Sequence, residues 1–133
     1  MTRSVLADAG PLFAVLDPHD SHHRRATEEL RKLANEKRDI LITFPTLLET
    51  YSLVLFSLGV KIAAGWLSEI IEAPLINPTS EDFRLALARL RLLPDQRITL
   101  FDAVSASVAT RLGLEVWTYD HHFDVMRVPV WRG

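Results

Sequence analysis

The chain has 133 residues, of which 48% are hydrophobic, and its formal net charge is -2. These values fit one globular domain with a sizeable core, and they exclude an overall charge that would attract nucleic acid or a membrane surface. The chain has no cysteine, which excludes disulfide bonds and thiolate zinc sites.

The first half of the chain alternates short apolar runs with longer helical segments. In chain order, its predicted elements are a strand at residues 4–7, helices at 12–16 and within 19–38, a strand at 40–44, and helices from 45 to about 59 and at 60–71. Pro45 suits the first turn of a helix, and Gly59 is a plausible end for it.

The second half continues the same alternation. Its predicted elements are a strand at residues 74–77, helices at 80–93 and 99–113, a strand at 115–118 and a candidate fifth strand at 128–131. Thr79 and Asp82 form an N-cap pattern that starts the first of these helices. Apolar strands that alternate with helices predict an α/β fold, with a short central parallel sheet of four to five strands and helices on both faces. We expect a single domain over residues 1–133.

Four acidic residues are predicted to lie at one edge of this sheet. Asp8 and Asp120 directly follow the first and fourth strands. Glu49 and Asp102 lie near the starts of two helices, which begin at the same edge. Because ligands of open parallel sheets bind beyond the carboxyl ends of the strands, these four side chains can meet in one crevice.

Carboxylates that lie close together repel one another unless a cation joins them. Magnesium and manganese take oxygen ligands, and such a site can activate water and neutralise charge at a phosphodiester. Each acid also has a structural interpretation: Asp8 can cap a helix, and Glu49 and Asp102 can interact with helix dipoles. Asp102, however, lies in an apolar segment, where a buried acid needs a partner.

The segment TYDHHFD adds further candidates around Asp120. Thr118 lies on the same side of an extended strand as Asp120, so it can orient a water molecule or cap the strand end. Asp124 is either a further ligand or an exposed acid. His121 and His122 are predicted to point to different sides of an extended backbone and to be loop residues.

Arginines are the predicted contacts for substrate phosphate. One set lies in a region without lysine and consists of Arg84, Arg89, Arg91 and Arg97. The second set recurs every seven residues on one predicted helix face and consists of Arg24, Arg31 and Arg38. A solvated helix face is the alternative interpretation of both sets. The apolar stretch at residues 47–66 is either core or, in part, a partner groove or dimer face.

Four motifs together resemble the PIN-domain ribonucleases, and in particular the VapC-type toxins of toxin–antitoxin pairs. The motifs are VLADAGPLFAVLD, FPTLLET, LFDAVSASVA and TYDHHFD. The resemblance implies that Asp8, Glu49, Asp102 and Asp120 bind Mg²⁺ or Mn²⁺, that the Thr118 hydroxyl supports them, and that Asp124 is a further acid. It also implies a homodimer and a small antitoxin partner. The chain reads Asp-Ala-Gly-Pro where many members have Asp-Thr-Ser, so a hydroxyl beside the first aspartate is missing.

The sequence therefore predicts a divalent-metal-dependent endoribonuclease that is the toxin of a type II toxin–antitoxin pair. The alternatives are a PIN-like scaffold that binds RNA or a partner without cleavage, and a stand-alone RNA-processing nuclease. A phosphotransferase is disfavoured, because those families need a late lysine and the only lysines here are Lys32, Lys37 and Lys61. The N-terminal apolar run is too short for a signal peptide and no stretch could span a bilayer, so we expect a cytoplasmic protein without membrane contact.

Overall fold

The computed structural model describes residues 3–133. Its strands are β1 (Val5–Ala7), β2 (Ile40–Thr43), β3 (Leu75–Ile76) and β4 (Glu115–Trp117). Its helices are α1 (Ala9–Leu16), α2 (His23–Asn35), α3 (Phe44–Leu58), α4 (Val60–Ile70), α5 (Ser80–Leu92), α6 (Leu100–Leu112) and α7 (His122–Val125). Within the described residues, no helix is both long and apolar enough to cross a membrane.

The four strands form a parallel sheet in the order β3-β2-β1-β4. All three residues of β1 are buried, as expected for an inner strand that is covered on both faces. Val5 and Ala7 pack with Leu33 of α2 in one apolar cluster, whereas Leu6 packs with Val108 of α6 in another. Because helices cover both faces, the predicted α/β class and four of its strands are confirmed.

The candidate fifth strand is reduced to one isolated parallel bridge between Val116 and Val130. The Val116 N–H donates to the Pro129 carbonyl, and the Trp131 N–H donates to the Val116 carbonyl, both at 2.9 Å. Pro129 has no N–H, so a longer ladder would lack a donor at that position.

Helix α7 is absent from the sequence prediction. His121 has φ -64° and ψ -16°, and its carbonyl accepts hydrogen bonds from the N–H groups of Asp124 and Val125 at 3.0 and 3.2 Å. This helical turn brings the rings of His121 and His122 together, with centroids 4.3 Å apart. The prediction that the two histidines point to different sides of an extended backbone is therefore wrong.

Arg38 does not share a helix face with Arg24 and Arg31. Helix α2 ends at Asn35, and Lys37 follows it in a left-handed conformation with φ 55°. The buried guanidinium of Arg38 binds Glu115 at 2.8 Å. The predicted seven-residue arginine face is thus wrong at Arg38, because the helix stops before that residue.

Threonine caps start the helices that carry two of the acids. Thr43, the last residue of β2, accepts a hydrogen bond from the Thr46 N–H at 3.2 Å, so that α3 begins where the strand ends. Thr99 accepts a hydrogen bond from the Asp102 N–H at 3.2 Å and starts α6. The predicted N-cap of α5 is confirmed as a capping box between Thr79 and Asp82. Such caps satisfy N–H groups that otherwise lack partners in the first turn of a helix.

Candidate metal centre

Five carboxylates line one cavity beyond the carboxyl ends of the strands, namely the four predicted acids and Asp20. The cavity has a volume of about 390 Å³, and its walls include Asp8, Glu49, Asp102 and Asp120. Asp8 follows β1, Glu49 lies in the second turn of α3, and Asp102 lies in the first turn of α6. Asp120 lies in the segment that joins β4 to α7. The structure thus brings together four side chains that are far apart in the sequence.

Asp8 is held by the neighbouring strand rather than by its own helix. Its N–H donates to the Trp117 carbonyl at 2.9 Å, and its Oδ2 accepts a hydrogen bond from the buried Thr118 hydroxyl at 2.8 Å. The Asp8 side chain makes no capping hydrogen bond to α1. Burial raises the pKa of Asp8, although the bond from Thr118 opposes that rise.

The pKa values of Asp102 and Glu49 are raised as well. Burial, followed by the negative charge of Asp8 and a hydrogen bond with Asp120, raises the pKa of Asp102 to about 8. Burial, followed by the charges of Asp8 and Asp120, raises the pKa of Glu49 to about 7. A helix N-terminus alone would stabilise the charged form of Asp102, so crowding and burial outweigh the helix dipole here.

The pKa of Asp120 is lowered rather than raised. Burial disfavours its charge, but the His122 N–H at 2.8 Å, the hydrogen bond with Asp102 and the His122 ring together hold the pKa of Asp120 below its ordinary value. The Nδ1 atom of His122 lies 3.0 Å from the Asp120 Oδ1. In the metal-free protein, a protonated Asp102 can therefore donate to an ionised Asp120, and the two carboxyl groups titrate as a pair.

The donor set fits a hard divalent cation. All four converging groups are carboxylates, and oxygen ligands are those that Mg²⁺ and Mn²⁺ prefer. Among residues 3–133, no lysine or arginine lines the cavity, so the acids have no ammonium or guanidinium partner there. Burial and the charges of the neighbouring acids raise the pKa values of Asp102 and Glu49. A bound divalent ion would supply the missing positive charge.

Asp124 lies away from this group. Its two carboxylate oxygens accept hydrogen bonds from Arg132 at 2.7 and 2.8 Å on an exposed surface, and it does not line the cavity. The arginines that were predicted to bind phosphate also lie elsewhere; Arg84, for example, binds Glu81 at 3.1 Å.

Eight further residues line the cavity, and none of them was predicted as a site residue. They include Thr99, His22 and Tyr119. The position of Tyr119 between Thr118 and Asp120 is a signal that could have identified it. His22 offered no such signal, because only the folded chain brings the start of α2 to the end of β4.

Comparisons with known proteins agree with this fold. A family model described as the PIN domain matches residues 5–129. Mycobacterium tuberculosis VapC20, a toxin that cleaves the sarcin–ricin loop, has a similar structure with a TM-score of 0.82 and 19% sequence identity. That similarity covers 98% of this chain and 100% of VapC20.

Two solved complexes also contain a similar chain. VapBC2 from Rickettsia felis, bound to a DNA fragment from its promoter, gives a TM-score of 0.72 at 16% identity, and covers 96% of this chain and 98% of that one. The FitAcB structure from Neisseria gonorrhoeae gives a TM-score of 0.70 at 19% identity and covers 96% of each chain. No curated protein has a significant sequence match to the chain.

Proposed function

The chain belongs to the PIN domain family, and from this premise we propose that it is a divalent-metal-dependent endoribonuclease that hydrolyses RNA phosphodiester bonds. The observation that carries the proposal is the convergence of Asp8, Glu49, Asp102 and Asp120 on one cavity without a neighbouring lysine or arginine among residues 3–133. Such a cavity repels a phosphate unless cations occupy it, and with cations it attracts one. We propose that one PIN domain spans residues 1–133.

In this mechanism, Asp8, Glu49, Asp102 and Asp120 would hold Mg²⁺ or Mn²⁺. When bound, the cation would supply Lewis-acid charge for the phosphodiester and lower the pKa of the attacking water. The Thr118 hydroxyl donates to Asp8 and so fixes one ligand in place. The N–H of His122 fixes Asp120 in its ionised form. A role for Asp124 as a further ligand stays a prediction. To bind the cation, the Asp124 carboxylate would first have to release Arg132.

An apolar groove beside the acids suggests that the protein binds a protein partner in addition to its RNA substrate. It is lined by Leu48, Leu53, Phe56 and Phe101, and Glu49 and Leu53 belong to both the groove and the acidic cavity. Leu48 and Phe56 are 63% and 86% exposed, which is unusual for large apolar side chains outside an interface. We therefore propose that the protein is the toxin of a type II toxin–antitoxin pair, with a small antitoxin and a second copy of this chain as its partners.

Two alternatives remain distinct from this proposal. A PIN-like scaffold would bind RNA or a partner without cleavage, and a stand-alone RNA-processing nuclease would cleave RNA without an antitoxin. The structural similarity to VapC20 and to the toxin–antitoxin complexes favours the toxin. A cytoplasmic location, where RNA substrates occur, is part of the same proposal.

The test is cleavage of RNA by purified protein with Mg²⁺, with Mn²⁺ and with excess chelator. We expect cleavage with either ion and none with chelator. Asp102→Asn should abolish cleavage, whereas Asp95→Asn, which removes the same charge from an exposed position outside the cavity, should retain it. Undiminished cleavage in excess chelator would contradict the role of the metal, and an active Asp102→Asn variant would remove Asp102 from the site.

A further inference from the structure

An aromatic wall stands beside the four carboxylates on the α2 side of the cavity. It consists of Tyr119 and His22, both of which line the cavity. Their rings are stacked, with centroids 4.6 Å apart and an interplanar angle of 29°. The guanidinium of Arg25 lies 4.4 Å from the centroid of the Tyr119 ring. We call the stacked rings of His22 and Tyr119 the His22–Tyr119 wall, and Arg25 packs against it.

The protein holds Tyr119 at this position with a buried acid. The Tyr119 hydroxyl donates to Glu29 Oε1 at 2.6 Å, and the indole N–H of Trp117 donates to the same oxygen at 3.0 Å. Arg25 approaches the other oxygen of Glu29 at 3.4 Å. Glu29 and Trp117 are buried, so the ring is anchored from the interior and cannot turn freely.

The outer part of the wall stays open to solvent. The side chains of His22 and Arg25 are 47% and 51% exposed. The backbone of His22 is fixed by a hydrogen bond from its N–H to Asp20 Oδ1 at 2.8 Å, which orders the turn before α2. This aromatic surface is anchored to the protein interior on one side and open to solvent on the other. It can therefore stack with another flat group without losing much side-chain entropy of its own.

Resting on the proposed ribonuclease function, we infer that the His22–Tyr119 wall is a stacking site for a base of single-stranded RNA next to the scissile phosphate. Tyr119 is adjacent in sequence to Asp120, so a base on the wall and a phosphate at the acids can belong to neighbouring nucleotides. Unstacked RNA bases are recognised on aromatic rings and guanidinium planes, and every base offers a π face. The guanidinium of Arg25 lies over the Tyr119 ring and holds it by a cation–π contact.

The test compares binding of two oligomers, which needs no cleavage. One is an eight-nucleotide single-stranded RNA of random sequence, and the other is a ribose-phosphate octamer without bases. Affinities are measured by fluorescence anisotropy in Ca²⁺, which also takes oxygen ligands. We expect His22→Ala to weaken binding of the RNA roughly 5- to 100-fold and to leave binding of the base-free octamer unchanged. His22→Phe should restore RNA binding, because it retains a flat ring.

The matched control is His19→Ala, which removes an exposed histidine from the same turn outside the cavity and should match wild type with both oligomers. Equal weakening of both oligomers by His22→Ala, an unchanged affinity for RNA, or no binding of the RNA octamer by wild type would each overturn the stacking site. If His22→Ala weakens binding of the RNA octamer but not of the base-free octamer, and wild type cleaves no RNA, the nuclease function is refuted and the stacking site is supported. If wild type cleaves RNA but His22→Ala does not selectively weaken binding of the RNA octamer, the stacking site is refuted and the nuclease function is supported.

Discussion

Replacing Asp102 with Asn should make the metal-free protein much less sensitive to pH. In the folded protein Asp102 has a pKa of about 8, compared with an ordinary value of 3.8. Between these two values the folded state holds a proton that the unfolded state has released, so stability falls as the pH rises. One such proton is worth about 1.4 kcal/mol per pH unit, or about 3 kcal/mol between pH 5 and pH 7. Asn carries no titrating proton, and this contribution should vanish.

Glu49 provides an internal reference for that experiment. Its pKa is also raised, from 4.5 to about 7, but by burial, Asp8 and Asp120 rather than by Asp102. The variant should therefore keep the part of the pH dependence that Glu49 contributes. At pH 7 we expect Asp102→Asn to be the more stable protein in chelator, because the wild type must take up a proton at Asp102 when it folds and the variant need not.

Urea unfolding in chelator at pH 5, 6, 7 and 8 measures these slopes, with Asp95→Asn as the control. If Asp102 only stabilised the N-terminus of α6, its loss would instead cost about 0.3–1 kcal/mol at every pH above 5. Equal pH slopes in wild type and Asp102→Asn would refute the crowding argument. Saturating Mn²⁺ at roughly 100 times its dissociation constant should add about 2.7 kcal/mol to wild type and less to the variant.

Three further outcomes follow from the contacts described above. Thr118→Val removes the hydrogen bond to Asp8 and should weaken Mn²⁺ binding about 10- to 100-fold by calorimetry, whereas Thr118→Ser should not; equal affinities would assign Thr118 to packing alone. Asp82→Ala breaks the paired hydrogen bonds to Arg111 at 2.9 and 2.8 Å and the capping box of α5, and it should lower the stability measured by urea unfolding; Mn²⁺ affinity should not change, because Asp82 lies outside the cavity. Phe56→Ser should prevent co-purification with the product of an adjacent short reading frame without altering the fold, and continued co-purification would place that partner elsewhere.

The sequence predicted the sheet well because its strands are buried on both faces and appear as continuous apolar runs. Helix starts were predictable where a threonine caps them, as at Thr79. Helix α7 was not, because four residues are too few to establish a helical period. The turn at Lys37 was not predictable either, because nothing in a run of polar residues indicates a positive φ there.

The acidic residues could be proposed as a group because each one lies near a strand end or a helix start, and a parallel sheet collects these positions at one edge. Their pKa values depend on distances that the sequence does not contain. The stacked pair of His22 and Tyr119 could not be proposed, because it depends on how the turn before α2 lies against the segment after β4. The hydrogen bond between Asp124 and Arg132 could not be predicted either, because it too depends on how segments of the folded chain lie against one another.

The order of the strands divides the site equally between the two halves of the chain. Residues 3–73 provide Asp8 and Glu49, and residues 74–133 provide Asp102 and Asp120. The halves meet along two strand seams, where β4 pairs with β1 and β3 pairs with β2. Neither half contains all four acids, so the proposed metal site depends on how the two halves pack together. The proposed active centre can therefore form only when the whole sheet has assembled, and we expect a fragment that contains only one half to have no nuclease activity.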